Sequence, residues 1–168
     1  MIKEGKQLPE VKFHVMGKRP DGSKYEPHEV GSSEVFRGKK GILVGIPGAF
    51  TPICSSSHLP AFIDAAEDLK EKKHYDFIAC TGVNDAYVME AWKETLHGDG
   101  KVTMLADEEG KFAESIGALD DFHDKALGMR SKRYAMIVDD GVVRYVGCEK
   151  DDFGKPTSSS LEAVMNAA

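Results

Sequence analysis

Residues 41–54 read GILVGIPGAFTPIC, an apolar run followed by a turn and a helix start. Residues 42–46 form a continuous apolar run of strand length, as expected for a strand that is covered on both faces. A proline and a glycine break the strand, and Thr51-Pro52 then pairs a preferred N-cap residue with proline at the first helical position. The stretch therefore predicts a central strand that leads through a short loop into a helix, with Cys54 at the third helical position.

Two further strand–helix units follow along the chain. Residues 77–80 and 102–105 are apolar runs of strand length, and each precedes a pattern of helical spacing. Asn84 is expected to cap the first of these helices and Asp107 the second. The earlier helix should kink at Pro60, which lies inside its apolar pattern. Alternation of strands and helices is typical of α/β proteins.

The N-terminal part predicts two small strands joined by loops. Residues 11–15 alternate apolar and polar side chains, which indicates a half-buried strand. A turn-rich segment covers residues 17–25, and an apolar pair at residues 35–36 is interpreted as the second strand.

The C-terminal part predicts an antiparallel hairpin and a closing helix. Residues 135–138 and 142–146 flank Asp140-Gly141, a strong hairpin-turn signal. Ser159 stands at capping-box spacing before a last amphipathic helix. A strand–helix–strand unit followed by a hairpin and a helix is the layout of the thioredoxin fold. We therefore predict an α/β, thioredoxin-like fold, with a central mixed β-sheet flanked by helices and an N-terminal β extension.

Bulk composition excludes several functional classes. The length of 168 residues fits one domain that spans residues 1–168. With 41% hydrophobic and 30% charged residues, the composition is ordinary for a soluble globular protein. The formal net charge of −6 gives no broad basic field, so nucleic-acid binding is not expected. The longest apolar stretch is far shorter than the roughly 20 residues that cross a bilayer, so no membrane span is expected.

The cysteines and the N terminus indicate a reducing compartment. Cys54, Cys80 and Cys148 are too few and too widely spaced for a secreted disulfide framework. Residues 1–10 contain charges and a proline but no apolar core of a secretory signal. We expect a cytoplasmic location, and removal of an organelle-targeting segment before this numbering begins would also fit the sequence.

Cys54 is the candidate nucleophile on physical grounds. In the first turn of a helix the backbone N–H groups lack helical partners, and the helix dipole presents partial positive charge. A free cysteine has a pKa of about 8.5, which falls to between roughly 3.5 and 7.5 at such sites. We therefore expect a lowered pKa for Cys54, with its sulfur accessible from solvent. The alternative is a buried structural thiol that happens to lie near a helix start.

The surrounding sequence favours the catalytic interpretation. Residues 47–54, PGAFTPIC, closely resemble the peroxidatic loop of peroxiredoxins, P-x-x-x-T-x-x-C, and Pro47, Thr51 and Cys54 match its fixed positions. The longer string through Pro60 resembles the type II or peroxiredoxin 5 subfamily, and the likeness extends over nearly the whole chain. The resemblance implies an antioxidant thiol peroxidase that reduces hydrogen peroxide and alkyl hydroperoxides through a sulfenic acid on Cys54 and serves cell redox homeostasis.

The resemblance also implies roles for the residues around the sulfur. The Thr51 hydroxyl and the backbone N–H groups of Ile53 and Cys54 would hold the peroxide oxygens, and Pro47 would shield the sulfur from water. Donors fixed at the departing oxygen stabilise the charge that develops there. The alternatives are that Thr51 acts only as a helix cap and Pro47 only as a turn former.

The resemblance implies an arginine at the site as well, and the usual family context, just before the C-terminal hairpin, matches Arg133. Its guanidinium stays charged and could hold the thiolate and a peroxide oxygen together. Arg130 is the competitor, and a surface ion pair is the alternative role for Arg133. His58 lies four residues after Cys54 on the same helical face, so it could contact the sulfur or substrate, although packing or orientation of the helix is the expected use.

The resolving thiol is expected to come from outside the chain. Some relatives place a resolving cysteine after the last strand, where this sequence has residues 155–160, KPTSSS. Cys80 lies in a predicted buried strand and Cys148 at a strand end, so neither is well placed. The hypothesis is a one-cysteine cycle in which glutathione with glutaredoxin, or thioredoxin, reduces the sulfenic acid.

Other activities remain open at this point. Residues 54–57 also have the C-x-x-S form of a glutaredoxin-like transferase, and a redox-sensing or chaperone-like protein could keep the same site. A cysteine phosphatase is excluded because Pro60 stands where its arginine would be. No nucleotide motif or zinc spacing occurs, so no cofactor or metal is expected. By analogy we expect a homodimer, with residues 120–130 as a candidate contact.

Overall fold

The computed structural model describes residues 1–18, 20–22 and 25–168. Within these residues the strands are β1 (Lys12–Lys18), β2 (Tyr25–Gly31), β3 (Lys40–Ile46), β4 (Phe77–Gly82), β5 (Thr103–Ala106), β6 (Leu119–Phe122), β7 (Gly128–Ser131), β8 (Tyr134–Asp139) and β9 (Val142–Cys148). The α-helices are α1 (Ser32–Phe36), α2 (Leu59–Asp64), α3 (Ala66–Glu71), α4 (Ala86–Thr95), α5 (Lys111–Ser115) and α6 (Leu161–Ala167). A π-helical turn covers Cys54–His58, and a 3₁₀ turn covers His123–Lys125.

The central sheet is mixed, as predicted. Its strand order is β2-β1-β5-β4-β3-β8-β9. Strand β4 pairs in parallel with both β3 and β5, whereas β3 with β8 and β8 with β9 are antiparallel. The strand–helix–strand units and the C-terminal hairpin thus form one sheet with β1 and β2 as the N-terminal β extension. The predicted thioredoxin-like architecture is confirmed.

Two apolar clusters cover the two faces of this sheet. On the first face, Val44 and Cys80 pack with Cys54 and with Trp92 of α4. On the second face, sheet residues pack with side chains of α1 and α5, and this cluster includes Leu43, Ala79, Met136, Phe36 and Phe112. Full burial of a large apolar side chain stabilises the fold by about 1.5–3 kcal/mol. The helix that begins beside Cys54 is therefore fixed to the first face by core packing.

Gly45 allows two central strands to pack closely. It lies opposite Tyr134 in the pairing of β3 with β8, and a Cβ at position 45 would collide with the Tyr134 ring. A glycine is therefore required in the strand that leads to the PGAFTPIC loop.

The N-terminal prediction was partly wrong. Residues 35–36 lie in α1, where Phe36 packs against Phe77 with ring centroids 5.6 Å apart. The second small strand is β2 instead, and its Pro27 is tolerated because β2 is the edge of the sheet. Two apolar residues are too few to distinguish a strand from a short helix. Residues 19, 23 and 24 of the predicted turn-rich segment lie outside the described residues.

Two helix caps differ from the prediction by one residue. Asp85, and not Asn84, caps α4 by accepting from the Val88 N–H at 2.9 Å. Ser160, and not Ser159, caps α6. In each case the predicted residue makes a different hydrogen bond, and the next residue in the sequence caps the helix instead.

Asp107 and the C-terminal hairpin behave much as predicted. The Asp107 carboxylate accepts from the N–H groups of Phe112 and Ala113 at the start of α5, although Gly110 occupies the N-cap position itself. Asp140 and Gly141 have φ values of 49° and 77°, the left-handed pair that a tight hairpin turn requires.

Strands β6 and β7 form a small separate sheet within residues 119–131, which the sequence did not predict. None of the helices in the described part of the chain is long and apolar enough to cross a membrane.

Candidate active site

Cys54 lies in the first turn of the helix that follows β3, as predicted. The helix begins at Pro52, and the Ser55 N–H donates to the Thr51 carbonyl at 3.1 Å. Cys54 is thus the third helical residue, next to Ile53. In this position the backbone N–H groups of the first turn have no helical carbonyl to donate to, and they contribute partial positive charge.

The helix widens immediately after Cys54. The Cys54 carbonyl accepts from the Leu59 N–H, a π-type bond that spans five residues. Pro60 explains the widening, because proline has no N–H for the carbonyl four residues earlier and its ring collides with a regular turn. A disturbance at Pro60 was predicted, but its form was not. A further break at Ala65 separates α2 from α3.

The sulfur is less accessible than expected. Cys54 is 0% exposed and belongs to the core cluster of the first face. The expectation of an open thiol is therefore wrong for this conformation. The physical reason is that the loop before the helix and the core side chains beneath it close over the first turn.

Hydrogen bonds hold the PGAFTPIC loop to two neighbouring elements. The Ala49 N–H donates to Asn84 Oδ1 at 2.9 Å, which is why Asn84 does not cap α4. Arg130 Nη1 donates to the Pro47 carbonyl at 3.3 Å. The Thr51 hydroxyl donates to the Gly48 carbonyl at 2.6 Å. Arg130, the competing arginine, therefore contacts the backbone of the loop.

Arg133 is buried beside the helix that carries Cys54. Only 1% of its surface is exposed, and its Nη1 lies 3.0 Å from His58 Nδ1. Asp152 holds Arg133 through two further hydrogen bonds. The Asp152 carboxylate accepts from the Arg133 backbone N–H at 2.6 Å, and the Asp152 backbone carbonyl accepts from Arg133 Nε at 2.9 Å. A buried guanidinium is expensive without such partners. The structure thus brings Arg133 and the Cys54–His58 turn together.

His58 is neutral and has a defined tautomer. Its Nε2 lies 3.0 Å from the Ser159 carbonyl, which can only accept, so Nε2 carries the proton and Nδ1 accepts from Arg133. Burial, assisted by the positive charge of Arg133, lowers the pKa of His58 to about 4. The structure therefore gives His58 a contact with the arginine and a place in the core.

Cys80 lies beneath the same site. Burial raises the pKa of Cys80 well above its ordinary value, the charge of Cys54 raises it further, and Arg133 opposes both effects. All three groups are therefore within electrostatic reach of one another. Cys148 packs instead with the cluster on the second face of the sheet, and burial raises its pKa too.

Sequence reasoning missed several residues that support this site. Asp152 and Ser159 hold Arg133 and His58, and Glu149 in turn binds Ser159. Trp92 donates from Nε1 to the Ser55 hydroxyl at 2.9 Å and so ties α4 to the π-helical turn. No local pattern marks these residues, because each contact joins distant parts of the chain.

The neutral state of His58 predicts a loss of stability in acid. Between pH 6.5 and 4 the unfolded chain binds a proton at His58 that the folded chain does not, so stability is present above this range and is lost as the pH falls. This one group should lower the free energy of unfolding by up to about 3 kcal/mol over that range.

The measurement is urea unfolding at several pH values for wild type and His58→Gln. The variant should show a flatter pH dependence than wild type, whereas His123→Gln, at an exposed histidine, should retain the wild-type slope. An unchanged slope in His58→Gln would contradict a neutral buried imidazole.

Comparison with known proteins agrees with this geometry. Residues 3–165 match the Redoxin family. The chain is 41% identical over 168 residues to Peroxiredoxin-2E, chloroplastic, of Arabidopsis thaliana, covering 99% of this chain and 69% of that protein.

Two solved structures are also similar. Reduced Prx3 of Vibrio vulnificus in complex with H₂O₂ has a TM-score of 0.84 and 38% identity, covering 99% of both chains. The Plasmodium falciparum antioxidant protein, a 1-Cys peroxiredoxin, has a TM-score of 0.88 and 27% identity, covering 97% of both chains. Both the matched family and the buried cysteine–arginine site lead to one conclusion: this chain belongs to the peroxiredoxins, the thiol-dependent peroxidases of the Redoxin family.

Proposed function

We propose that Cys54 is the nucleophile with which this antioxidant enzyme reduces hydrogen peroxide and alkyl hydroperoxides. The observation that carries the proposal is the buried Arg133, held by Asp152 and by His58 of the π-helical turn that begins at Cys54. A fixed guanidinium next to a helix N-terminus favours the thiolate and can bind an oxygen at the same time. The active unit is the one domain of residues 1–168.

The proposed chemical step is a two-electron transfer. The Cys54 thiolate attacks one peroxide oxygen, an S–O bond forms as the O–O bond breaks, and the sulfur becomes a sulfenic acid. The leaving oxygen departs as hydroxide or alkoxide and takes a proton to give water or an alcohol. Donors fixed at that oxygen lower the barrier because its charge grows in the transition state.

The neighbouring residues have distinct proposed roles. The Thr51 hydroxyl and the N–H groups of Ile53 and Cys54 bind the peroxide oxygens, and Pro47 excludes water from the sulfur. The Thr51 hydroxyl donates to Gly48 in the closed loop, so it must turn toward a bound peroxide. His58 contributes to substrate binding through the arginine that it holds.

Peroxide reaches the buried sulfur through local opening of the loop over residues 47–51. Phe50 supports this step, since it is 54% exposed and has a φ of 64°, an unfavourable conformation for a residue other than glycine. The loop is tied to the neighbouring elements through the two bonds at Ala49 and Pro47. Closure after peroxide entry would then remove water from the reacting atoms.

Loss of hydroperoxide, followed against pH, tests the nucleophile and the arginine. Cys54→Ser should abolish consumption, and Arg133→Ala should slow it by about a hundredfold or more, because a donor to the developing charge is removed. Arg130→Ala should slow peroxide consumption less than Arg133→Ala does, since Arg130 contacts the Pro47 carbonyl of the loop. Arg144→Ala, at an exposed position, should leave the rate of consumption unchanged. Wild-type consumption at the rate of an ordinary thiol would refute the proposal.

We also infer a one-cysteine cycle that depends on an external thiol. One thiol attacks the Cys54 sulfenic acid, forming a mixed disulfide and releasing water, and a second thiol restores Cys54 and leaves as a disulfide. Cys80 is buried with a raised pKa, and Cys148 lies on the other face of the sheet, so both are poor resolving thiols. The proposed reductants are glutathione with glutaredoxin, or thioredoxin.

Steady-state turnover of cysteine variants tests this cycle. Cys80→Ser, Cys148→Ser and the double variant should each turn over repeatedly with glutathione and glutaredoxin or with thioredoxin, at rates close to wild type. If Cys148→Ser stopped turnover with small thiols while Cys54 still formed its sulfenic acid, Cys148 would be the resolving thiol. Oxidation without repeated turnover in wild type would favour a redox sensor.

A homodimer is the proposed assembly, in the cytoplasm or, after removal of a targeting segment, in an organelle. Three exposed apolar side chains lie in the active-site loop or on elements that neighbour it: Phe50 in the loop, Tyr87 on α4 and Met129 on β7, at 54%, 63% and 52% exposure. They lie on segments joined by the bonds at Ala49 and Arg130, so a second copy could cover all of them. The contact at Met129 falls within the candidate segment of residues 120–130.

Sedimentation at micromolar concentration tests the dimer. Wild type should sediment as a dimer and Phe50→Asp as a monomer, because a buried unpaired charge opposes association. Lys72→Asp, at the exposed residue that follows α3, should remain dimeric. A monomeric wild type would contradict the proposed assembly.

A further inference from the structure

Glu149 is a buried carboxylate outside the contacts assigned to the reaction. It follows β9 and receives four hydrogen bonds, all at 2.7 Å. Two come from the backbone N–H and hydroxyl of Thr157, and two come from the backbone N–H and hydroxyl of Ser159. Burial works to raise the pKa of Glu149, but the bonds from Ser159 and Thr157 outweigh it, and the pKa lies below its ordinary value. The group is an anion that fixes the segment in front of α6.

Ser159 connects this anion to the active site. Its N–H and hydroxyl both bind Glu149 Oε1, while its carbonyl accepts from His58 Nε2 at 3.0 Å. With two of its polar groups held by Glu149, the direction of the Ser159 carbonyl is set. This arrangement also explains why Ser160, and not Ser159, caps α6.

The Ser159 carbonyl determines what His58 can do for Arg133. A guanidinium only donates hydrogen bonds, so His58 Nδ1 must present a lone pair to Arg133 Nη1. That requires the proton on Nε2, and the Ser159 carbonyl stabilises this tautomer. A displaced carbonyl would let the proton move to Nδ1, where it would face the arginine and repel it.

We propose that Glu149 is a positioning residue for the peroxidase reaction, acting through Ser159 and His58 on the orientation of Arg133. The inference rests on the proposed role of Arg133 at Cys54. The Glu149 backbone N–H donates to the Arg133 carbonyl at 2.9 Å, a bond that a side-chain substitution leaves in place. The Glu149 carboxylate binds Thr157 and Ser159, and in the proposed step it does not touch the peroxide. Its effect is on the geometry with which the arginine meets the reacting oxygens, and small displacements there are costly.

A ratio of two rates isolates this effect. The reaction of Cys54 with hydrogen peroxide is followed by stopped-flow fluorescence of Trp92, the one tryptophan of the sequence, which bonds Ser55 next to Cys54. Alkylation of Cys54 by iodoacetamide is measured at the same pH in a Cys80→Ser/Cys148→Ser background. Both rates depend on the thiolate fraction of Cys54. The ratio of the peroxide rate to the alkylation rate therefore reports the acceleration that the arginine gives to the peroxide reaction alone.

Glu149→Ala should lower this ratio by about tenfold to a hundredfold, as expected for a displaced catalytic group. Glu149→Gln should restore most of it, since an amide oxygen at the Oε1 position can still accept from Ser159. Asp151→Ala is the matched control, because that exposed carboxylate accepts one loop N–H nearby and should leave the ratio unchanged. In ¹⁵N spectra of His58, wild type should show the Nε2-protonated tautomer and Glu149→Ala a mixture.

An unchanged ratio in folded Glu149→Ala, with His58 still a single tautomer, would overturn the inference. If that variant does not fold, the same ratio is measured for Ser159→Ala, which removes only the hydroxyl bond to Glu149. A smaller fall in the ratio would support the inference, and an unchanged ratio would overturn it. Failure of the proposed function is distinguishable, since wild type itself would then react with peroxide no faster than an ordinary thiol.

Discussion

The hydrogen bond between Arg133 Nη1 and His58 Nδ1 is the contact on which the rest of the site depends. It joins Arg133, the residue just before β8, to the helix that carries Cys54, across 75 positions of sequence. A guanidinium without solvent needs acceptors for its donors, and Asp152 and His58 supply them. The histidine can serve as an acceptor only while it is neutral, which its burial ensures. The charge that we propose for the reaction is thus kept inside the core by a neighbour that remains neutral.

The closed site follows from the same packing. Pro60 forces the helix to widen after Cys54, the PGAFTPIC loop is held by Asn84 and Arg130, and the sulfur has no exposed surface. In a site buried from bulk solvent, a positive group and helix N–H donors interact more strongly with a thiolate and with a departing oxygen than they would in solution. The cost is access, which the proposed opening of the loop over residues 47–51 would give to a small substrate.

Local patterns predicted much of the fold, and distant contacts explain what they missed. The strand before Cys54, its helical start at Thr51-Pro52 and the Asp140-Gly141 hairpin depend on neighbours in sequence, so they could be predicted. The caps at positions 84 and 159 were misplaced because Asn84 and Ser159 bind Ala49, Glu149 and His58 instead. Arg133 was chosen through resemblance, and no sequence spacing could reveal that Ser159 lies 101 positions from the histidine it orients.

The most direct test is the rate at which Cys54 reacts with hydrogen peroxide at neutral pH, measured in a Cys80→Ser/Cys148→Ser background for Arg133→Ala, His58→Ala and the double variant. If the bond between Arg133 and His58 positions the guanidinium, His58→Ala should slow the reaction when Arg133 is present and have little further effect when Arg133 is absent. Two independent effects that multiply, or a His58→Ala variant as fast as the chain with His58, would contradict a shared role for the two residues.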